Sequence, residues 1–152
     1  MLERLLSEIR YEIQQLDGLF KSYEELLGRV RVREPNLVET TAVASVLHSF
    51  YNGVENLFIR ISKEIDKNIP AGGRWHRELL TRMAAPGAVR PAVISTELAR
   101  RLADYLSFRH FYRHSYSFFL DWGELESLAL NLEGVWSRVK SELTQFVESL
   151  DS

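Results

Sequence analysis

Apolar residues recur along this chain at steps of three and four, and no stretch alternates with period two. That spacing builds helices with one apolar face and leaves no strand to pair. Leu2, Leu5, Leu6, Ile9, Ile13, Leu16, Phe20, Tyr23 and Leu27 predict a helix over residues 2–29, ended by Gly28, the Arg29–Glu34 stretch and Pro35. Val43, Val46, Leu47, Phe50, Val54, Leu57, Phe58, Ile61 and Ile65 predict a second from about Asn36 to Asp66, with Asn36 and Glu39 as an N-cap pair. After the loop Ile69-Pro70-Ala71-Gly72-Gly73, a short helix runs from Trp75 to about Met83 and is closed by Ala84-Ala85-Pro86-Gly87. Ser95 or Thr96 caps the next, through Leu98, Leu102, Tyr105, Leu106 and Phe108. Asp121-Trp122-Gly123 reads as a turn, and a last helix carries Leu125, Leu128, Leu132, Val135, Trp136, Val139, Leu143, Phe146, Val147 and Leu150. Four long helices with short connections predict an all-α, antiparallel, up-and-down four-helix bundle with the short helix as an insert, one domain over 1–152.

A chain of 152 residues, 45% hydrophobic and 26% charged, can bury a core of its own. It has no cysteine, so a disulfide scaffold, a thiolate metal site and a cysteine nucleophile are excluded. No apolar run approaches the roughly 20 residues of a membrane span, and Glu3 and Glu8 interrupt any signal-like start, so a cytoplasmic protein without membrane contact is expected.

Charge is distributed unevenly. Between Arg74 and Tyr116 there are eight arginines, no lysine and three acids, a segment of +5 on a chain of −2 overall. Three of the four histidines, His76, His110 and His114, lie inside it. Guanidinium groups suit phosphate because two parallel N–H bonds match two oxygens, so this segment points to a nucleotide or nucleic acid. Solvated arginines, or arginines paired to neighbouring helices, would give the same composition.

The densest part is Phe108-Arg109-His110-Phe111-Tyr112-Arg113-His114-Ser115-Tyr116. On a helix His110 and His114 share a face, as do Arg109 and Arg113, while Arg109 and His114 lie about 140° apart. To meet on one ligand they need reach, a distortion at the helix end, or a second subunit. The asparagine and glutamate of Tyr51-Asn52-Gly53-Val54-Glu55-Asn56 break the apolar pattern of the second helix, and Glu55 and Asn56 are candidate supporting groups. Plainer readings stand beside these. Arg109 and Arg113 could each pair with an acid on an adjacent helix, the reading favoured for Arg113, and Tyr112 and Tyr116 have core spacing. Phe108, Phe111, Phe118 and Phe119 would be core or interface. His76 beside Trp75 could stack on a base, though such a pair is more often surface packing, and His48 reads as structural. A metal on His110 and His114 lacks a third ligand in the pattern, so no metal is expected.

Arg109-x4-His114-x-Tyr116, led by Ala103-Asp104-Tyr105-Leu106 and followed by Leu120-Asp121-Trp122, resembles the signature of the HepT-like ribonuclease toxins of the HEPN superfamily. The tyrosine-asparagine-glycine-x-glutamate stretch and the helix pattern extend the resemblance over most of the chain. It implies a homodimeric, metal-independent endoribonuclease, the toxin of a type VII-like toxin–antitoxin system, with no cofactor and with RNA rather than DNA as substrate. It also implies a minimal nucleotidyltransferase antitoxin that transfers AMP to the motif tyrosine. Carried over, Arg109 and His114 are catalytic and Tyr116 is the modification site, with His110, Arg113, Asp104, Glu55 and Asn56 as possible support. The residue after the arginine is commonly asparagine or aspartate in such motifs. Here it is His110, which adds a second imidazole.

These residue types suit the implied chemistry. A histidine, with its pKa of about 6.5, can take or give a proton, and an arginine stays charged as the phosphate gains charge. The competing readings are a non-catalytic nucleotide- or RNA-binding module, a structural docking partner for a nucleotidyltransferase, and a metal-dependent bundle enzyme.

Overall fold

The computed structural model describes residues 2–114, 116 and 120–150. The described residues are helical and contain no strand: α1 is Leu2–Ser22, α2 Glu24–Arg29, α3 Leu37–Ile61, α4 Trp75–Met83, α5 Thr96–Arg113 and α6 Trp122–Leu150. Cross-helix pairs fix the directions. Arg60 at the end of α3 meets Glu8 and Glu12 near the start of α1, so these two run antiparallel. His48 faces Tyr112 while Asn52 bonds Arg109, which makes α3 and α5 antiparallel. Tyr105 reaches Leu128 and Ser95 reaches Glu142, which sets α5 against α6 in the same way. Asp17 contacts both Trp136 and Lys140 and closes the ring between α1 and α6. The four long helices form the expected up-and-down bundle, and α4 packs as an insert against α3 and α5.

The core is pinned by one aromatic ring from each long helix. Phe50 of α3 lies 6.0 Å from Phe20 of α1, 5.4 Å from Tyr105 of α5 and 6.1 Å from Trp136 of α6. Each polar tip is satisfied, as burial of such side chains requires. The Tyr105 hydroxyl donates to the Leu128 carbonyl at 2.7 Å, and the Trp136 indole N–H donates to Asp17 at 2.8 Å.

Asn36 and Glu39 form a full capping box, each side chain bonded to the other's backbone N–H. The Glu39 carboxylate also receives Arg29 and Arg33, so one acid ties the end of α2 to the start of α3. The Arg29 hydrogen bond, together with the Asn36 N–H, holds its carboxyl down at about 2.

Three boundaries differ from the sequence-based expectation. The first helix breaks at Tyr23 and resumes as α2, redirecting the chain so that Leu27 and Val30 reach the core. The second helix ends not in regular α geometry but in a π-helical turn, Ser62–Asp66, closed by Lys67 in the left-handed region at φ 58°. Trp122, expected in a turn, is instead the first residue of α6 and is buried. Asp121 starts that helix by accepting the Gly123 N–H, as an aspartate N-cap does.

The loop from α4 to α5 closes around Arg90. Its Nε and Nη2 form a fork with Asp66 at 2.7 and 2.9 Å, and its remaining N–H groups take the carbonyls of Ala85, Pro91 and Arg82. Gly87 lies against this side chain, and a Cβ there would stand 3.1 Å from Arg90 Cγ. Arg90, one of the eight arginines of the basic segment, is therefore a structural staple. Among the described residues no helix is long and apolar enough to cross a membrane.

Candidate functional site

Helix α3 is apolar through most of its length, yet His48, Asn52 and Glu55 fall at i, i+4 and i+7 and share one face. That face looks onto α5 and α4. Arg109 Nε donates to Asn52 Oδ1 at 2.6 Å, and its Nη2 lies 4.0 Å from Glu55 Oε1. The other oxygen of Glu55 is 2.8 Å from His76 Nδ1. Glu55 is only 4% exposed, so a buried carboxylate is compensated by an arginine from α5 and an imidazole from α4. The His76 ring is further held against Trp75, 3.7 Å between centroids.

Behind this, the Asn52 amide nitrogen approaches His48 Nδ1 at 3.5 Å, and the His48 ring packs on Tyr112 at 4.9 Å. Burial, and then the positive charges of Arg109 and Arg113, hold the His48 imidazole below its ordinary pKa. A neutral ring can accept from Asn52, so His48 acts as a packed support for the residue that orients Arg109.

In front lies a cleft of about 320 Å³, with Gly73, Arg74, His76 and Arg77 on one wall and Leu106, Ser107, Arg109 and His110 on the other. Three arginines and two histidines line it, and no acid does. Among the described residues Arg74 and Arg77 make no ion pair, and the two Nη groups of Arg109 make no hydrogen bond. Such a cleft can hold a phosphate group with several charge-assisted bonds.

The predicted residues distribute as follows. Arg109 and His110 line the cleft, with Glu55 buried behind Arg109 and His76. His114 is the C-cap of α5 at φ −114° and ψ 9°, already outside helical geometry, with its exposed ring 4.7 Å from that of His110. His110 lines the cleft, and His114 stands beside it at the helix end, outside the cleft lining. Tyr116, 69% exposed, lies just beyond. Arg113 is exposed and has no ion pair among the described residues, against the expectation of a neighbouring acid. Asp104 is exposed and outside the cleft lining; its charge adds to burial in raising the Tyr105 phenol pKa. Asn56 lies in a different depression, with Arg4, Glu8, Arg60 and Lys63. Its place is taken by Asn52, because residues 55 and 56 are adjacent in sequence but about 100° apart on the helix. Phe108 is buried and Phe111 exposed, while Phe118 and Phe119 lie outside the described residues, as does Ser115. His76, assigned to surface packing by sequence, is instead bonded at the site. The signal that could have found the supporting face was the polar spacing of His48, Asn52 and Glu55.

The family model described as "HepT-like protein" matches residues 42–150, from the first turns of α3 to the end of α6. No curated protein and no solved structure matches the chain.

Proposed function

The chain belongs to the HepT-like family of the HEPN superfamily, and from that premise we propose that it is a toxin-type endoribonuclease working without a metal. The observation that carries the reading is Arg109. Asn52 holds its Nε, and among the described residues neither terminal amino group makes a hydrogen bond, Nη2 lying 4.0 Å from Glu55, at a cleft whose lining has no acid. There the guanidinium would grip the scissile phosphate and stabilise the charge that grows on it during attack. His114 at the end of α5 would move a proton. In a homodimer the ends of two α5 helices would share one cleft and supply two copies of each group.

The exposed Tyr116 is the acceptor we assign to AMP transfer by a minimal nucleotidyltransferase antitoxin. Its phenol oxygen would bond the α-phosphorus of ATP, releasing pyrophosphate and the phenol proton. The added phosphate would place negative charge beside a site built to receive RNA phosphate, which would block substrate.

The test is cleavage of RNA by purified protein in excess EDTA, with mass spectrometry confirming unmodified tyrosine. Wild-type cleavage giving 2′,3′-cyclic phosphate ends, lost in Arg109→Ala and His114→Ala, is the expected result. Unmodified, folded wild type that binds RNA but leaves it intact would replace this reading with a binding module.

A further inference from the structure

Within one protomer, the histidine that the fold prepares for proton transfer is not the motif histidine. His114 is exposed at a helix end, and among the described residues its ring makes no hydrogen bond. His76 is held on three sides: its Nδ1 by Glu55 at 2.8 Å, its ring face by Trp75, and its backbone by the first turn of α4. An ionised carboxylate can only accept, so in the neutral ring the proton sits on Nδ1 and Nε2 carries the lone pair. Nε2 has no hydrogen-bond partner among the described residues, and the side chain lines the same cleft as Arg109. A purely structural histidine would need only the Nδ1 bond. A ring oriented by a buried carboxylate, with its second nitrogen unused beside a cluster of arginines, has the arrangement of a general base.

We propose that His76 is a catalytic residue of this cleft, taking the proton from the attacking 2′-hydroxyl of RNA, with Glu55 as its positioning residue; this rests on the ribonuclease reading above. The 2′-O–H proton passes to His76 Nε2 as the 2′-oxygen bonds phosphorus. The P–O5′ bond breaks, and the leaving oxygen takes a proton from the His114 imidazolium. Glu55, 2.8 Å from Nδ1, orients the His76 ring, and Arg109 lies 4.0 Å from the other oxygen of the same carboxylate. The charged and titratable groups around His76 are Glu55 from α3, Arg109 and His110 from α5, and Arg74 and Arg77 beside it. Base and acid then come from different elements, with α4 supplying one and the end of α5 the other.

The experiment is single-turnover RNA cleavage by the full chain, mass-checked for unmodified Tyr116, comparing wild type with His76→Asn, His76→Ala and His114→Ala. Asparagine can still donate to Glu55 but cannot carry a proton. His76→Asn should lose about 10²- to 10⁴-fold in rate, while its affinity for non-cleavable 2′-O-methyl RNA stays close to wild type. The rise of rate with pH on the acid side should flatten in His76→Asn, and free imidazole should restore part of the rate of His76→Ala. Wild type that cleaves while His76→Asn cleaves equally fast overturns the proposal and leaves the ribonuclease reading standing. Loss of rate with an unchanged pH profile and no imidazole rescue assigns His76 a structural role and also overturns it. Wild type that does not cleave overturns both. Should His76→Asn not fold, the wild type carries the test: bound 2′-O-methyl RNA should shift the His76 Nε2 nitrogen resonance, and no shift overturns the proposal.

Discussion

The loop around Arg90 and the cleft around Arg109 each centre on one arginine of the same basic segment, and they use its guanidinium in opposite ways. Arg90 has a fully buried side chain, and every N–H it carries is taken by Asp66 or by a backbone carbonyl. The Arg109 side chain is 13% exposed, and among the described residues only its Nε makes a hydrogen bond, with Nη2 4.0 Å from Glu55. The first arrangement saturates the donor inventory and leaves nothing for a ligand. The second uses one bond to aim the group and keeps the rest for an incoming anion. Among arginines of equal charge, unspent donors are what the proposed phosphate-binding role requires.

The largest effect that could break this contrast is on stability. Arg90→Met should cost about 3–5 kcal/mol in denaturant unfolding, because Asp66 loses its partner and three loop carbonyls lose their donor. A cost under about 1 kcal/mol would show that the loop is held by something else. Arg109→Ala should shift the balance, lowering RNA cleavage about 10²- to 10³-fold while costing less stability than Arg90→Met, since Glu55 keeps His76. A melting loss as large as that of Arg90→Met would erase the distinction. Gly53→Ala sharpens it from behind the cleft. A Cβ there would stand 2.5 Å from a Leu16 methyl, so unfolding should shift by about 1–3 kcal/mol, and Leu16→Ala should relieve part of it in a double-mutant cycle.

The smallest expected effect concerns pH. Glu39 is held at about 2, below its usual 4.5, so the folded state releases its proton more readily than the unfolded one. Its contribution is complete above about pH 4.5 and disappears as pH falls toward about 2. Unfolding curves of wild type and Glu39→Gln should therefore differ near about pH 7 and converge across that window. A gap that stays constant would mean the carboxylate charge does not matter.

Much of the bundle was legible because its stripes are local. The period of Val43 through Ile65, the Asn36–Glu39 cap and the breaks at Gly28 and Pro35 act within a turn or two of helix. The partners of Arg90 and Arg109 were not legible, because they lie 24 and 57 residues away in sequence and only packing decides which acid or amide arrives. Trp122 misled because Asp-Trp-Gly looks like a turn when read alone, whereas an aspartate cap with a buried aromatic after it begins a helix. His76 was discounted for the same reason as Arg109 was singled out: one sat in a dense motif, the other beside a tryptophan, and the carboxylate that joins them is on a third helix.

Gly53 carries a consequence for how this site can be tuned. It stands between Asn52 and Glu55, and its missing side chain lets Leu16 of α1 seat directly on the α3 backbone. Helix α1 thus serves as an anvil for the segment that aims Arg109 and His76, although it lies outside residues 42–150, which carry the family signature. A change of volume on α1 becomes a change of aim at the cleft. On the proposed ribonuclease reading, substitutions on α1 that never meet RNA would therefore change the rate of cleavage.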